Sequence, residues 1–147
     1  MRLHLHEWGS ADAPPVICLH GVTSHGERFA HLAERLSGYR VLAPDFRGHG
    51  RSTWEPPWRL ETHVDDILET ADAVGVGSAS WVGHSFGGRV LLVVGSDASV
   101  VAPQQIDERR AALGHRLQVS TVAGGHNVLW DAFEATAAAV SAFLDEA

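Results

Sequence analysis

The feature that most constrains this chain is a repeated alternation. Two short apolar runs, Val16-Ile17-Cys18-Leu19 and Val41-Leu42-Ala43, and a third strand-like run, Ser80-Trp81-Val82, each lead into a glycine-bearing loop, and amphipathic stretches lie between them. A run that is apolar on both faces reads as a strand inside a parallel sheet, and a parallel neighbour needs a long crossover connection, usually a helix. The pattern predicts an α/β fold: a parallel sheet flanked by helices. The 147 residues suit a single domain, 1–147, and a composition 45% apolar and 20% charged supplies a core without a disordered tract.

Local signals mark the remaining elements. Ser24 and Glu27 have capping-box spacing ahead of Phe29, Leu32, Ala33 and Leu36, with Gly38 as the stop. Thr62 and Asp65 repeat that spacing for a helix with the apolar stripe Val64, Ile67, Leu68, Ala71 and Val74. Pro103 opens a helix running to Leu113, with Gly114 as its stop. Leu117 to Val122 is a strand, and Asp131 caps a C-terminal helix carrying Phe133, Ala137, Val140 and Leu144. At the other end, Leu3 and Leu5 alternate with His4 and His6, as in a half-exposed strand. His4 and His6 share a face, as two metal ligands could. With no third ligand nearby in the sequence, they read as a solvated strand face, and no metal or cofactor is expected.

The chemistry concentrates at Gly83-His84-Ser85-Phe86-Gly87, a G-x-S-x-G directly after a strand. The glycines allow a strained turn that presents a serine hydroxyl at the carboxyl end of a sheet. A helix starting there aims free N–H groups at a developing oxyanion. A serine needs a base. Ten histidines are present. His126 stands after a strand and Gly124-Gly125, while His84 points away along the turn. His20, His25 and His49 lie in loops at strand ends and could line the pocket. Asp97 follows an apolar run, in Gly95-Ser96-Asp97, and could hold the histidine tautomer. Asp107 and Glu108 fall on the next helix and read as facing solvent.

These stretches, together with His20-Gly21 and the loop Asp45-Phe46-Arg47-Gly48-His49-Gly50-Arg51-Ser52, resemble the α/β-hydrolase superfamily of esterases, lipases and cofactor-free haloperoxidases. The resemblance implies the chain order serine, acid, histidine, hence Ser85, Asp97 and His126. It also implies an oxyanion hole from the backbone N–H groups of Val22 and Phe86, and a structural role for the 45–52 loop as a buried turn. The chain departs from the pattern after the serine. Too few residues separate Ser85 from Val90 for a parallel crossover, so 90–94 is either the helix after the serine or a later strand brought close by deletion. Its β-branched content and the following Gly-Ser-Asp favour the strand. The chain thus reads as a truncated, capless fold with an open pocket.

The function expected is hydrolysis of small or short-chain carboxylic esters through an acyl-enzyme, with perhydrolysis as a close alternative. A serine nucleophile argues against dehalogenase or epoxide hydrolase chemistry. The alternative from another class is an impaired remnant that only binds a ligand or partner. Net charge of −7 with no basic run gives nucleic acid no footprint. No apolar stretch reaches membrane-span length, and residues 1–7 lack a signal-peptide apolar region, so a cytoplasmic location is expected. Cys18, within an apolar run, reads as a buried hydrophobe. An unpaired edge around 90–94, with Val100 and Val101 nearby, leads to the expectation of a homodimer.

Overall fold

In the computed structural model, residues 1–84, 92–95, 103–113 and 119–145 are described. Val16, Ile17, Cys18 and Leu19 are all buried, so their strand, β2 (Pro15–Leu19), needs cover on both faces. It lies between β3 (Arg40–Pro44) and β4 (Ser80–Gly83), parallel to both. β1 (Leu5–Trp8) adds antiparallel to β3, giving the order β1-β3-β2-β4. β5 (Leu92–Gly95) pairs parallel with β6 (Val119–Val122). The parallel strands and flanking helices are the predicted class. No helix among the described residues is long and apolar enough to cross a membrane.

The two-residue period of the strands builds two layers. Val16, Cys18, Val41, Ala43 and Val82 pack with Phe29 and with Leu32 of α1 (Ala30–Arg35), and with Val140 and Leu144 of α5 (Phe133–Asp145). Ile17, Leu19 and Leu42 point the other way, against Ile67 and Ala71 of α2 (Leu60–Ala73). The helix predicted from Pro103 to Leu113 is α3 with those bounds, and a short α4 (Val128–Asp131) precedes α5.

Several local expectations are corrected. The Ser24–Glu27 capping box does not form: a 3-10 turn (Gly26–Phe29) precedes α1, and its N-terminal residue, His25, makes no side-chain cap bond. The N–H of Gly26 instead donates to Oδ1 of Asp45, at 2.6 Å, so a distant carboxylate takes over the capping task. α2 starts at Leu60, ahead of Thr62, and its buried face is rotated from the predicted stripe. Val64 and Leu68 are exposed, while His63, Asp66 and Thr70 are buried with Ile67 and Ala71. Polar partners explain the rotation. Arg47 donates to Asp66 from Nε (2.7 Å) and Nη2 (2.9 Å), and Thr70 accepts the N–H of Leu3 (2.9 Å). Asp131 ends α4 rather than capping α5.

The apolar run after the serine contains a strand, β5, as its composition indicated. Its first residues, 90 and 91, lie outside the described residues. So do Val100 and Val101, and with them most of the surface expected to pair two copies.

The 45–52 loop is a turn organised around Asp45, buried at Asp45, Phe46, Arg47 and Ser52 as anticipated but exposed at Gly50 and Arg51. Oδ2 of Asp45 accepts the N–H of Arg51 (2.8 Å), and Oδ1 accepts that of Gly26 and faces Nε2 of His6 at 3.1 Å. Burial opposes the charge, but the Arg51 and Gly26 donors and then His6 outweigh it and hold the carboxyl below its ordinary range. His4 and His6 share a face, yet it is not a solvated one: the His6 side chain is only 11% exposed. Gly50 turns at φ +49°, and a Cβ there would lie 2.2 Å from Oδ2 of Asp45. Gly50→Ala should therefore lower stability by at least about 2 kcal/mol in urea unfolding, from backbone strain plus disruption of the carboxylate. Gly38→Ala, with nothing near its added methyl, should stay within about 0.5 kcal/mol.

Candidate active site

The site grows from the carboxyl ends of two neighbouring strands. Leu19 of β2 pairs with Gly83 of β4, and the N–H of His84 donates to the carbonyl of Leu19 at 2.9 Å. His20 and His84 therefore leave the sheet side by side. Beyond them lies a cavity of about 330 Å³, whose lining includes His20, Val22, Arg28, His84, His126 and Trp130. Crevices outside the carboxyl ends of parallel strands are where ligands bind in such sheets.

The cavity histidines are not equivalent. Nδ1 of His20 lies 2.8 Å from the carbonyl of Gly21, which only an N–H can satisfy, and its Nε2 accepts the N–H of Phe46 at 2.9 Å. Both nitrogens are thus committed and the ring is neutral. Burial pushes its pKa down to about 4. His84 is also held below the ordinary value, first by burial, with a backbone hydrogen bond at His126 working in the opposite direction. The His84 and His126 rings stand 5.8 Å apart, and His126 is exposed on the cavity. His25 and His49 do not line this cavity among the described residues; His49 Nδ1 lies 3.1 Å from the Arg47 carbonyl.

Of the residues named from the sequence, the structure brings His20, His126 and Val22 to one cavity. Among the described residues no acceptor takes the Val22 N–H. Ser85, Phe86 and Asp97 lie outside the described residues; His84, immediately before Ser85 in the chain, lines the cavity. Among the lining residues that had no sequence signal are Arg28 and Trp130. The Arg28 guanidinium sits over the Trp130 ring, 4.8 Å from its centroid, and both residues also line an adjoining cavity of about 580 Å³. They come from segments about a hundred residues apart, so no local spacing could have paired them.

The alpha/beta hydrolase fold model matches residues 14–98, more than half of the chain, and the chain belongs to that family. It is 40% identical over 90 residues to Lipase LipV of Mycobacterium tuberculosis (strain ATCC 25618 / H37Rv), a match covering 61% of this chain and 34% of that protein. It is 37% identical over 105 residues to the Serine hydrolase-like protein of Homo sapiens, covering 69% and 50% respectively. The chain thus spans a third to a half of these two relatives. The crystal structure of the enol-lactonase from Burkholderia xenovorans LB400 superposes with a TM-score of 0.87 at 16% identity, covering 97% of this chain and 96% of that one, a likeness of fold.

The buried histidines make stability depend on pH. His20, His63 and His84 are each held below the ordinary value of 6.5, in each case first by burial. As pH falls through that value the unfolded chain takes up protons that the folded chain refuses, so stability present above pH 6.5 is lost as pH drops toward the folded values. Unfolding free energy should fall between pH 7 and pH 5 in urea melts. His20→Gln should flatten that slope by up to about 1.4 kcal/mol per pH unit, one proton's worth.

Proposed function

We propose that this chain is a serine hydrolase acting on small or short-chain carboxylic esters. The observation that carries the reading is the cavity in which an exposed His126 stands beside His84, the residue preceding Ser85. Both nitrogens of His20 are bonded, and in this reading His126, exposed on the cavity, is the base. Ser85 Oγ attacks the ester carbonyl as His126 takes its proton, and the N–H groups of Val22 and Phe86 stabilise the oxyanion. His126 returns the proton to the leaving alcohol, and water, activated in the same way, releases the acid. Asp97 orients the imidazole and stabilises its protonated form. The names of the relatives, a lipase and a serine hydrolase-like protein, support this chemistry. The absence of a cap, taken from the short link after Ser85, leaves the site open to undemanding substrates.

A fluorophosphonate probe should label the purified chain, and Ser85→Ala should lose both labelling and hydrolysis of a short nitrophenyl ester. His126→Ala should cost nearly as much, because such residues act as a unit. Labelling that survives in Ser85→Ala rules out this nucleophile. A parent chain that neither labels nor hydrolyses is a binding remnant. Asp97→Asn should lower turnover by up to about 10⁴-fold, read from kcat on the same ester; undiminished turnover would place the acid elsewhere.

A further inference from the structure

The His4-x-His6 pattern plays no part in the hydrolase chemistry, and the fold supplies what the local sequence lacked. β1 runs antiparallel to β3 with Leu5 opposite Pro44 and His6 opposite Ala43. The same register sets His4 against Asp45, whose N–H donates to the His4 carbonyl at 2.8 Å. Side chains alternate along a strand, so His4, His6, Ala43 and Asp45 share one face. Ala43 is small and leaves the space to the other three. One ligand atom from each of His4, His6 and Asp45 lies within 4.8 Å of the others.

We propose that His4, His6 and Asp45 form a binding site for a divalent late-transition cation, zinc above all. Nε2 of His6 and Oδ1 of Asp45 are 3.1 Å apart. Adjacent ligands of a tetrahedral zinc with bonds of about 2.0 Å stand about 3.3 Å apart, so this pair is spaced to share one ion. Rotation of His4 closes the remaining separations; its ring already meets that of His6 edge-on, with centroids 4.8 Å apart. The cation takes the place of the proton between His6 and Asp45. His6 carries its hydrogen on Nδ1 and offers the Nε2 lone pair, and the Oδ1 lone pair now facing His6 becomes the carboxylate ligand. The N–H groups of Gly26 and Arg51 stay on the other lone pairs of Asp45 and keep the carboxylate charged and oriented, as outer partners of metal ligands do. Two imidazoles and one carboxylate suit zinc, nickel or copper, whereas magnesium and calcium want more oxygens. Water completes the fourth position. An ion here ties the antiparallel edge strand to the start of the 45–52 loop, so it binds the folded chain alone and stabilises it.

The test uses the full chain freed of metal by chelation. Calorimetric titration with zinc should show one equivalent bound, and Tm should climb with zinc concentration but not with magnesium. Cobalt(II) should give the intense d–d absorption of a tetrahedral site. His4→Gln should weaken zinc binding by at least about tenfold and abolish the cobalt bands while leaving the metal-free Tm unchanged. Ser85→Ala should bind zinc as the parent does, which separates this site from the hydrolase centre. No zinc-dependent rise in Tm, undiminished binding in His4→Gln, or loss of binding in Ser85→Ala would each overturn the proposal.

Discussion

The Asp45 carboxylate is the interaction on which most of the described architecture depends. One side chain receives the N–H that starts the first helical segment and the N–H that closes the 45–52 turn, and it faces a histidine of the edge strand. Its backbone carbonyl accepts the Ser52 hydroxyl, whose oxygen in turn accepts the N–H of His4. A buried charge is costly unless it is hydrogen-bonded. Here the cost is offset by donors that three separate segments would otherwise have to satisfy by themselves. The neighbouring Arg47 fork on Asp66 does the same for α2, converting a helix face with buried polar groups into a stable contact.

Those long-range bonds mark the limit of what local sequence could tell. The strands β2 and β3, and α3 with its bounds, were legible because burial on both faces and a proline start are local facts. The capping box at Ser24 was legible too, and did not form: Asp45, just past β3, takes the N–H of Gly26 at the start of that segment instead. The α2 stripe was misplaced for a similar reason: hydrophobic spacing cannot know that Arg47 will draw Asp66 inward. At the site, His126 and the strand-end loops could be read from motif and position. The committed state of His20 could not, since it follows from Phe46, twenty-six residues away.

The cavity shows how one residue type can be divided into roles by surroundings alone. His20 is a neutral bracket between Gly21 and Phe46, and its ring also lies against those of Phe46 and His49. His84 is drawn under cover beside it. His126, with its ring 5.8 Å from that of His84, is exposed. A ring locked at both nitrogens cannot shuttle protons, so the packing that fixes the strand ends removes His20 from that task.

Cys18 sits in the middle of β2, fully buried, and burial pushes its thiol far above the ordinary range. It is the only thiol in the chain. A thiol in that state is silent toward alkylating reagents while the sheet stays closed. It becomes reactive only when β2 leaves its neighbours on both sides. The rate at which a reagent modifies the protein under native conditions therefore counts openings of the central sheet, a clock that needs no engineered label and ignores fraying at the surface.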